Sequence, residues 1–296
     1  MEPRYCTPLR YPGGKASLAG FLSDAIDMND LRGGAYYEPY AGGAGAAFTL
    51  LLDGVVSCLF LNDADVRIYS FWRSVLYDAK RFTDRVASIP LTIEEWRKQR
   101  AIYEAPRRYS RFDVGFSAFY LNRCNRSGVL GGGPIGGFSQ AGNWTMDVRF
   151  NREVLAGRIL RIAEVRGCVR FAGKDALRFL AEELPRGRGR QRCFVYLDPP
   201  YVDNGRRLYR NFYQEADHRS LCTYLRRQKE LPWIMSYDDT LLIRSLYSGF
   251  RMAELPLRYV LNEKRAAHEL IISPSTLAFP SGYYAGKAFQ ALRKIA

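Results

Sequence analysis

Asp198, Pro199, Pro200 and Tyr201 directly follow an apolar run, and they place a carboxylate and an aromatic ring on either side of two prolines. Each proline fixes a φ angle and removes a backbone N–H donor. The Asp198 carboxylate and the carbonyl of Pro199 can therefore accept both hydrogen bonds of one planar amine, while Tyr201 stacks on the ring that bears it. This set predicts activation of an exocyclic amino group on a base. A proline-stiffened turn with a capping aspartate is the alternative.

A second candidate site is the segment EPYAGGAG, followed about 20 residues later by an acidic residue, which is the spacing of a nucleotide-binding βαβ unit. The residues concerned are Glu38, Pro39, Tyr40, Gly42, Gly43, Gly45 and Asp63. Glycines allow close approach of a ligand to the backbone, and Asp63 is placed to accept hydrogen bonds from ribose hydroxyls. Glu38 would repel a pyrophosphate and attract a cation, and S-adenosylmethionine combines adenosine with a cationic sulfonium. A glycine turn that only permits tight packing remains the alternative.

The elements that position these residues alternate between strands and helices. An apolar strand from Ala35, a helix after the glycines and a strand at 58–63 predict a βαβ unit and a parallel sheet. Asn151 and Asp217 are expected N-caps of two later helices. Further strands are predicted in CVRFAGKDA (168–176, a strand followed by a turn), RCFVYLDPPY (192–201) and PWIMSYDD (232–239), and two final β segments predict a hairpin that closes the sheet. Residues 185–192 are expected to form a basic surface loop.

Composition limits the class of protein and its partners. The net charge is +14 with a pI near 9.6, which favours a polyanionic partner, nucleic acid first, although a solubility function is the alternative. No apolar run approaches the ~20 residues that span a bilayer, and the N-terminus lacks a signal-peptide core, so we expect no membrane association and a cytoplasmic location. The six cysteines form no C-x-x-C pair and there are two histidines, so no metal site is expected.

Three motifs together resemble the Dam-type (D12 class) DNA adenine-N6 methyltransferases. They are RYPGGK at 10–15, EPYAGGAG at 38–45 and DPPY at 198–201, in that order. The resemblance implies a Rossmann-like α/β methyltransferase fold with a mostly parallel sheet, S-adenosylmethionine as the methyl donor and double-stranded DNA as the substrate. It further implies that Tyr11 and Lys15 lie near the methionine end of the cofactor, that Asp63 binds the ribose, and that Asp175 accepts a bond from the adenine amine.

The same resemblance suggests a domain division and DNA contacts. The catalytic domain is predicted at 1–66 and 150–296, and a mainly helical target-recognition domain is predicted as an insertion at 67–149. The segment that contains Asn122, Arg123, Asn125 and Arg126, with its glycine loop, resembles the family's substrate-contacting segment. Three further arginines, Arg206, Arg207 and Arg210, are expected to clamp phosphates beside a flipped base, or else to order a lid. Interleaved arginines and aromatic residues at 96–112 suit DNA contact or a solvated helix face over an aromatic core.

The sequence thus predicts a site-specific DNA methyltransferase that modifies adenine N6 of a flipped-out base, as a monomer or weak dimer. Whether a restriction endonuclease accompanies it is left open. An RNA or cytosine-N4 methyltransferase of the same fold and a catalytically silent DNA-binding protein are the alternatives. Two positions depart from the expected pattern: Ala44 replaces a glycine, and Tyr237 stands where we expect a small polar residue at the rim of the base pocket.

Overall fold

The structure is a computed structural model that describes residues 6–10, 15–202, 213–257, 267–278 and 280. Within these residues seven strands form one sheet, in the order β3-β2-β1-β4-β5-β7-β6. The strands are β1 (Ala35–Glu38), β2 (Cys58–Asn62), β3 (Val169–Ala172), β4 (Cys193–Leu197), β5 (Trp233–Asp238), β6 (Arg251–Leu257) and β7 (Ala267–Ser273). Strands β1 to β5 are parallel to one another, whereas β7 runs antiparallel to both β5 and β6.

Helices occupy most of the chain between the strands. They are α1 (Ala19–Met28), α2 (Gly45–Leu52), α3 (Val66–Tyr77), α4 (Ala79–Ser88), α5 (Ile93–Glu104), α6 (Arg111–Cys124), α7 (Arg152–Glu164), α8 (Ala176–Glu183), α9 (Glu215–Arg226) and α10 (Leu241–Leu246). None of the helices in the described ranges is long and apolar enough to cross a bilayer.

The sheet is covered by apolar side chains on both faces, because successive residues of a strand point to opposite sides. Tyr36 and Ile234 belong to one buried cluster, while their neighbours Tyr37 and Met235 belong to another. Strands buried on both faces are continuously apolar, which explains why β4 reads CFVYL without alternation. A sheet of this kind presents its chemistry only where strands end.

Helices α3 to α6 lie between β2 and β3 in the chain and share the first buried cluster with these strands. Stacked and edge-on aromatic pairs join them, among them Phe71 with Phe119 and Phe82 with Phe119. Helix α3 also contacts β3 and α7, so the first helix of the predicted insertion packs against the sheet layer. The division into a catalytic and a target-recognition domain stays a prediction.

Most of the predicted elements agree with the structure. The strands and the closing antiparallel hairpin are confirmed, and Asn151 caps α7 by accepting a hydrogen bond from Val154 N. Two details differ. The helix expected to start at Asp217 begins at Glu215, because Gln214 and Asp217 form a reciprocal capping box. The basic segment expected to be a loop contains a 3-10 helix, Gly187–Arg192.

The order of the strands places the two main motifs side by side. Strand β1 pairs with β2 on one side and with β4 on the other, so the direction of the connections reverses between β1 and β4. In open α/β sheets, ligands bind at the carboxyl ends of the strands at such a switch point. Glu38 is the last residue of β1, and Asp198 directly follows β4.

Candidate active site

Asp198 is held by one oxygen and presents the other. Its Oδ1 accepts a hydrogen bond from Ser236 Oγ at 3.0 Å and lies 3.3 Å from Lys15 Nζ, whereas no described residue donates to Oδ2. The side chain is 21% exposed. Burial raises the pKa of Asp198, and the Lys15 ammonium acts in the opposite direction. An oriented carboxylate with one open oxygen at the edge of a cleft can accept a hydrogen bond from an amine.

A small polar residue was expected at position 237. The residue that contacts Asp198 is Ser236, one position earlier. Its hydroxyl is within 2.8 Å of Tyr196 OH and donates to Asp198, so three side chains from β4, β5 and the turn between them form one chain of hydrogen bonds. Tyr237 points to the other face of β5, where it contacts the ring of Tyr201 at a centroid distance of 6.2 Å. Strand alternation explains both positions.

Lys15, Tyr201 and Glu269 meet beside Asp198. Lys15 Nζ donates to Tyr201 OH at 2.6 Å and to Glu269 Oε1, and the Tyr201 hydroxyl donates to the same glutamate oxygen. The ammonium also lies 5.2 Å from the centroid of the Tyr201 ring. Lys15 and Tyr201 were predicted site residues, and the structure brings them together; Glu269 was missed.

The glycine turn after β1 is fixed by bonds to both sides of Gly42. Its N–H donates to Asp63 Oδ2 at 3.0 Å, and its carbonyl accepts from Trp72 Nε1 at 2.8 Å. Gly42 has φ 46°, which a residue with a Cβ adopts at a cost. Ala44 nevertheless takes φ 47°, so the alanine that departs from the expected glycine occupies a left-handed position.

Close packing accounts for other residues of this turn. A Cβ on Gly45 would approach the Cβ of Ala16 to 3.0 Å, so the glycine lets the chain after Lys15 lie against helix α2. Asn62, fully buried at the end of β2, donates to the carbonyls of Pro39 and Lys174 and thereby ties the ends of β1 and β3 together. The predicted site residues Tyr40 and Gly43 lie in or beside this buried turn.

Glu38 is a buried carboxylate whose Oε2 has no hydrogen-bond partner at normal distance among the described residues, although the nearby Tyr36 hydroxyl acts to lower its pKa. Burial raises its pKa well above the usual range, and the nearby charges of Asp198 and Asp63 act in the same direction. Burial also raises the pKa of Asp63 to about 7, with a contribution from Asp65. Three carboxylates around one cleft make it a region that favours a cationic ligand.

Asp175, the predicted partner of an adenine amine, caps α8. Its Oδ1 accepts from Leu177 N at 3.0 Å and Arg178 N at 3.1 Å, and no described residue donates to its Oδ2. The exposed carboxylate is close enough to Tyr213 to raise the pKa of that phenol, a smaller effect than burial. Tyr213 OH is 2.6 Å from Tyr40 OH, so the cleft between the ends of β1 and β3 is bordered by these two rings.

Three of the residues predicted to contact DNA are buried instead. Asn122 accepts from Arg10 N and donates to Arg10 O, both at 2.6 Å, and donates to Gly128 O at 3.0 Å. Asn125 accepts from Trp96 Nε1 at 2.8 Å and donates to Val129 O at 2.9 Å. Their amides are used to hold the glycine loop and the segment at 6–10, which argues against a direct contact with DNA.

Arg123 is also turned inward, with 8% exposure. It donates to the carbonyls of Arg149 and Pro8. Burial lowers its pKa to about 9, helped by the like charges of Arg10, Arg158 and Arg149. Polar residues beside a glycine loop suggested DNA contact, but in this structure the polarity satisfies the loop's own backbone.

Arg126 is exposed beside the glycine loop and stays a predicted DNA contact. Tyr11, Arg206, Arg207 and Arg210 lie outside the described residues. In the basic and aromatic segment, Trp96, Tyr103 and Phe112 are buried core residues, which supports the packing alternative for the aromatic rings. Among the described residues, no group of three or more histidine, cysteine, aspartate or glutamate side chains is placed to hold a metal ion.

The fold is α/β, and it places the glycine turn after β1 beside the DPPY turn after β4. A family model described as "D12 class N6 adenine-specific DNA methyltransferase" matches residues 11–261. Because the match spans most of the 296 residues, the chain belongs to that family.

Two other comparisons add little. No curated protein matches the chain. Among solved structures, a conserved hypothetical protein from Streptococcus pyogenes is 10% identical and covers 86% of this chain and 97% of its own, with a TM-score of 0.34. A TM-score this low supports no inference about this protein.

Proposed function

We propose that the protein is a site-specific DNA methyltransferase that transfers a methyl group from S-adenosylmethionine to adenine N6 of a flipped-out base. Membership of the family supports adenine methylation of DNA as the activity class. The observation that carries the proposal is the geometry of Asp198, which has one oxygen fixed by Ser236 and the other without a described donor. It lies beside the glycine turn at the switch point of the sheet.

The cleft suits the proposed cofactor on three counts. The buried Oε2 of Glu38 has no described hydrogen-bond donor and favours a positively charged group nearby. Asp63 at the end of β2 and Asp175 at the start of α8 are acceptors at the positions expected for ribose hydroxyls and an adenine amine. The tight turn through Gly42 brings the backbone close to the ligand. When bound, S-adenosylmethionine would supply an electrophilic methyl group.

The residues of the chain would act mainly by positioning and electrostatics. Asp198 Oδ2 and the carbonyl of Pro199 accept hydrogen bonds from the two N–H groups of the target amine. These bonds draw the nitrogen lone pair out of conjugation with the ring. Tyr201 stacks on the base, with its hydroxyl anchored by Lys15 and Glu269. As N6 gains a bond and becomes cationic, the Asp198 carboxylate stabilises that charge until a proton leaves to solvent.

The proposal is tested by incubating the protein with methyl-labelled S-adenosylmethionine and unmethylated genomic DNA, followed by mapping of modified bases. N6-methyladenine at a short motif is the expected product. Asp198→Ala should lower transfer by at least ~10³-fold while the cofactor dissociation constant, measured by calorimetry, stays within about threefold.

The acceptor class is decided in the same assay by adding RNA and tracking cytosine. Transfer to RNA or to cytosine N4, or tight DNA binding without transfer, would replace the proposed activity by one of the alternatives. Full activity of the Asp198→Ala protein would contradict the role of the carboxylate.

A further inference from the structure

Glu269 is a buried carboxylate that comes from the closing hairpin. It lies in β7, opposite Asp238 of β5 on one side and Leu255 of β6 on the other, so its backbone is fixed between two strands. The residue is 1% exposed. Burying an ionised carboxylate costs several kcal/mol unless partners compensate for the lost water. The position of Glu269 therefore depends on what it binds.

Its partners belong to the two motifs of the active site. Lys15, which is 254 residues away in the chain, donates to Glu269 Oε1, and the hydroxyl of Tyr201 donates to the same oxygen. Lys15 also donates to the Tyr201 oxygen at 2.6 Å, so the three groups form a closed triangle. Asp198 Oδ1 lies outside this triangle, 3.3 Å from the ammonium.

We propose that Glu269 is a positioning residue that draws the Lys15 ammonium and the Tyr201 hydroxyl to the hairpin and so keeps Asp198 available to the target amine. This inference rests on the proposed function, because it deepens the account of the same site. Glu269, in the last strand β7, would thus affect how the target amine is bound.

Electrostatic competition supplies the reason. Among the described residues Lys15 contacts two carboxylates, those of Glu269 and Asp198, and the attraction between the ammonium and each of them depends on distance. Glu269 holds the closer contact, so the ammonium touches only the Oδ1 side of Asp198. Without the negative charge of Glu269, the Lys15 ammonium would be drawn closer to Asp198, the other carboxylate beside it. It would then compete with the target amine for the carboxylate.

The hydrogen-bond directions give Glu269 a second effect on Tyr201. A phenol has one proton, and here it goes to Glu269, which leaves the phenol oxygen to accept from Lys15. Two bonds of fixed direction hold the ring that is proposed to stack on the base. A neutral amide at position 269 would keep the volume but weaken both charge-assisted bonds.

Steady-state kinetics of Glu269→Gln test the role, with Glu254→Gln as the matched control. Glu254 lies on the neighbouring strand β6, is 56% exposed and pairs with Arg244, away from the triangle. We expect Glu269→Gln to lower kcat roughly 10- to 100-fold, with the KM values for DNA and cofactor within about threefold of wild type. Glu254→Gln should match wild type. A kcat of Glu269→Gln within about twofold of the control would overturn the inference.

A second readout does not depend on methyl transfer. Reductive methylation of lysines by formaldehyde and borohydride, followed by mass spectrometry, reports how strongly each amine is held. Relative to Lys80, which is 84% exposed, Lys15 should react slowly in wild type and in Glu254→Gln, and faster in Glu269→Gln, where it keeps the Asp198 carboxylate but loses its closer carboxylate contact. Equal rates in all three proteins would overturn the positioning role.

The two readouts separate the possible failures. If wild type transfers no methyl group to DNA, the proposed function fails, while the labelling rates still decide whether Glu269 holds Lys15. If Glu269→Gln does not fold, as judged by circular dichroism, Glu269→Asp replaces it, because it keeps the charge and shortens the reach by one methylene. That variant should also lose kcat with unchanged KM values, and wild-type kcat would overturn the inference.

Discussion

Asp63 has a structural role and a proposed binding role in one carboxylate. Its two oxygens accept from the backbone N–H groups of Gly42 and Asp65, which fixes the glycine turn to the end of β2. Each carboxylate oxygen has a second lone pair, so the ribose hydroxyls of a nucleoside can still be bound. Because burial raises its pKa to about 7, Asp63 changes its charge near neutral pH.

This raised pKa predicts a pH dependence of cofactor binding. If the ionised form accepts the ribose hydroxyls, the ionised fraction rises from ~0.1 at pH 6 to ~0.9 at pH 8, and the association constant should rise roughly tenfold. Calorimetric titration with S-adenosylmethionine at several pH values measures it. In Asp63→Asn the constant should be lower and lack this rise. A parallel rise in both proteins would assign the titration to another group.

Ionisation of Asp63 has the opposite effect on the stability of the fold: it strengthens the expected cofactor binding but lowers the free energy of unfolding. The folded state holds the Asp63 proton more tightly than the unfolded state does, so this residue's contribution to the free energy of unfolding falls as pH rises from about 4 to about 7. The structure thus retains a carboxylate that costs stability when ionised. Such a cost is common at binding sites, where perturbed pKa values cluster.

The candidate site residues predicted from the sequence stand in motifs. The residues that contact them from within strands were not predicted. In the sequence, Asp198, Tyr201 and Lys15 stand next to prolines or glycines, which marks them as candidate site residues. Ser236 and Glu269 lie inside apolar strands, and no spacing rule links them to Asp198. A single charge in the run AHELIIS was the available signal for Glu269, since a charge in a buried strand needs a partner.

At the scale of elements, the strands were predictable because both faces of the sheet are buried. A run such as CFVYL has no polar alternation and is typical of a central strand. Helix α6 was harder to interpret. Its polar residues Asn122 and Arg123 face inward, so the sequence pattern does not distinguish a buried backbone tether from an exposed DNA contact.

The tether formed by Asn122 joins α6 to the segment that precedes Lys15. Asn122→Ala removes partners from Arg10 N, Arg10 O and Gly128 O together, and we expect the free energy of unfolding to fall by ~2–4 kcal/mol. Urea denaturation measures this. Asn143→Ala, on an exposed position of the following loop, is the matched control and should change stability by less than ~0.5 kcal/mol. Equal changes in the free energy of unfolding for the two variants would show that the hydrogen bonds of Asn122 do not stabilise the fold.

At the scale of the whole molecule, the charge of +14 is only partly available to a polyanion. Several arginines are used within the fold. Arg123 donates to carbonyls of Arg149 and Pro8, Arg152 to those of Val86 and Ile89, and Arg100 to those of Leu130 and Gly131. Guanidinium groups are suited to such loop-closing roles because they carry five donors in a fixed plane. The total of 44 lysines and arginines therefore overstates the number of cations that can contact phosphates.

Arg126, which is exposed, and Arg123, which is buried, should differ in their contribution to DNA binding. A lysine or arginine that neutralises one phosphate contributes about 0.9 to the slope of log K against log salt concentration. Arg126, exposed beside the glycine loop, should contribute, so Arg126→Gln is expected to reduce the slope by ~1 in fluorescence-anisotropy titrations with duplex DNA. Arg123→Gln should leave the slope unchanged and lower the melting temperature, because this buried side chain holds backbone carbonyls. If Arg123→Gln reduces the slope and Arg126→Gln does not, the glycine loop must rearrange on DNA so that the buried arginine reaches the phosphates.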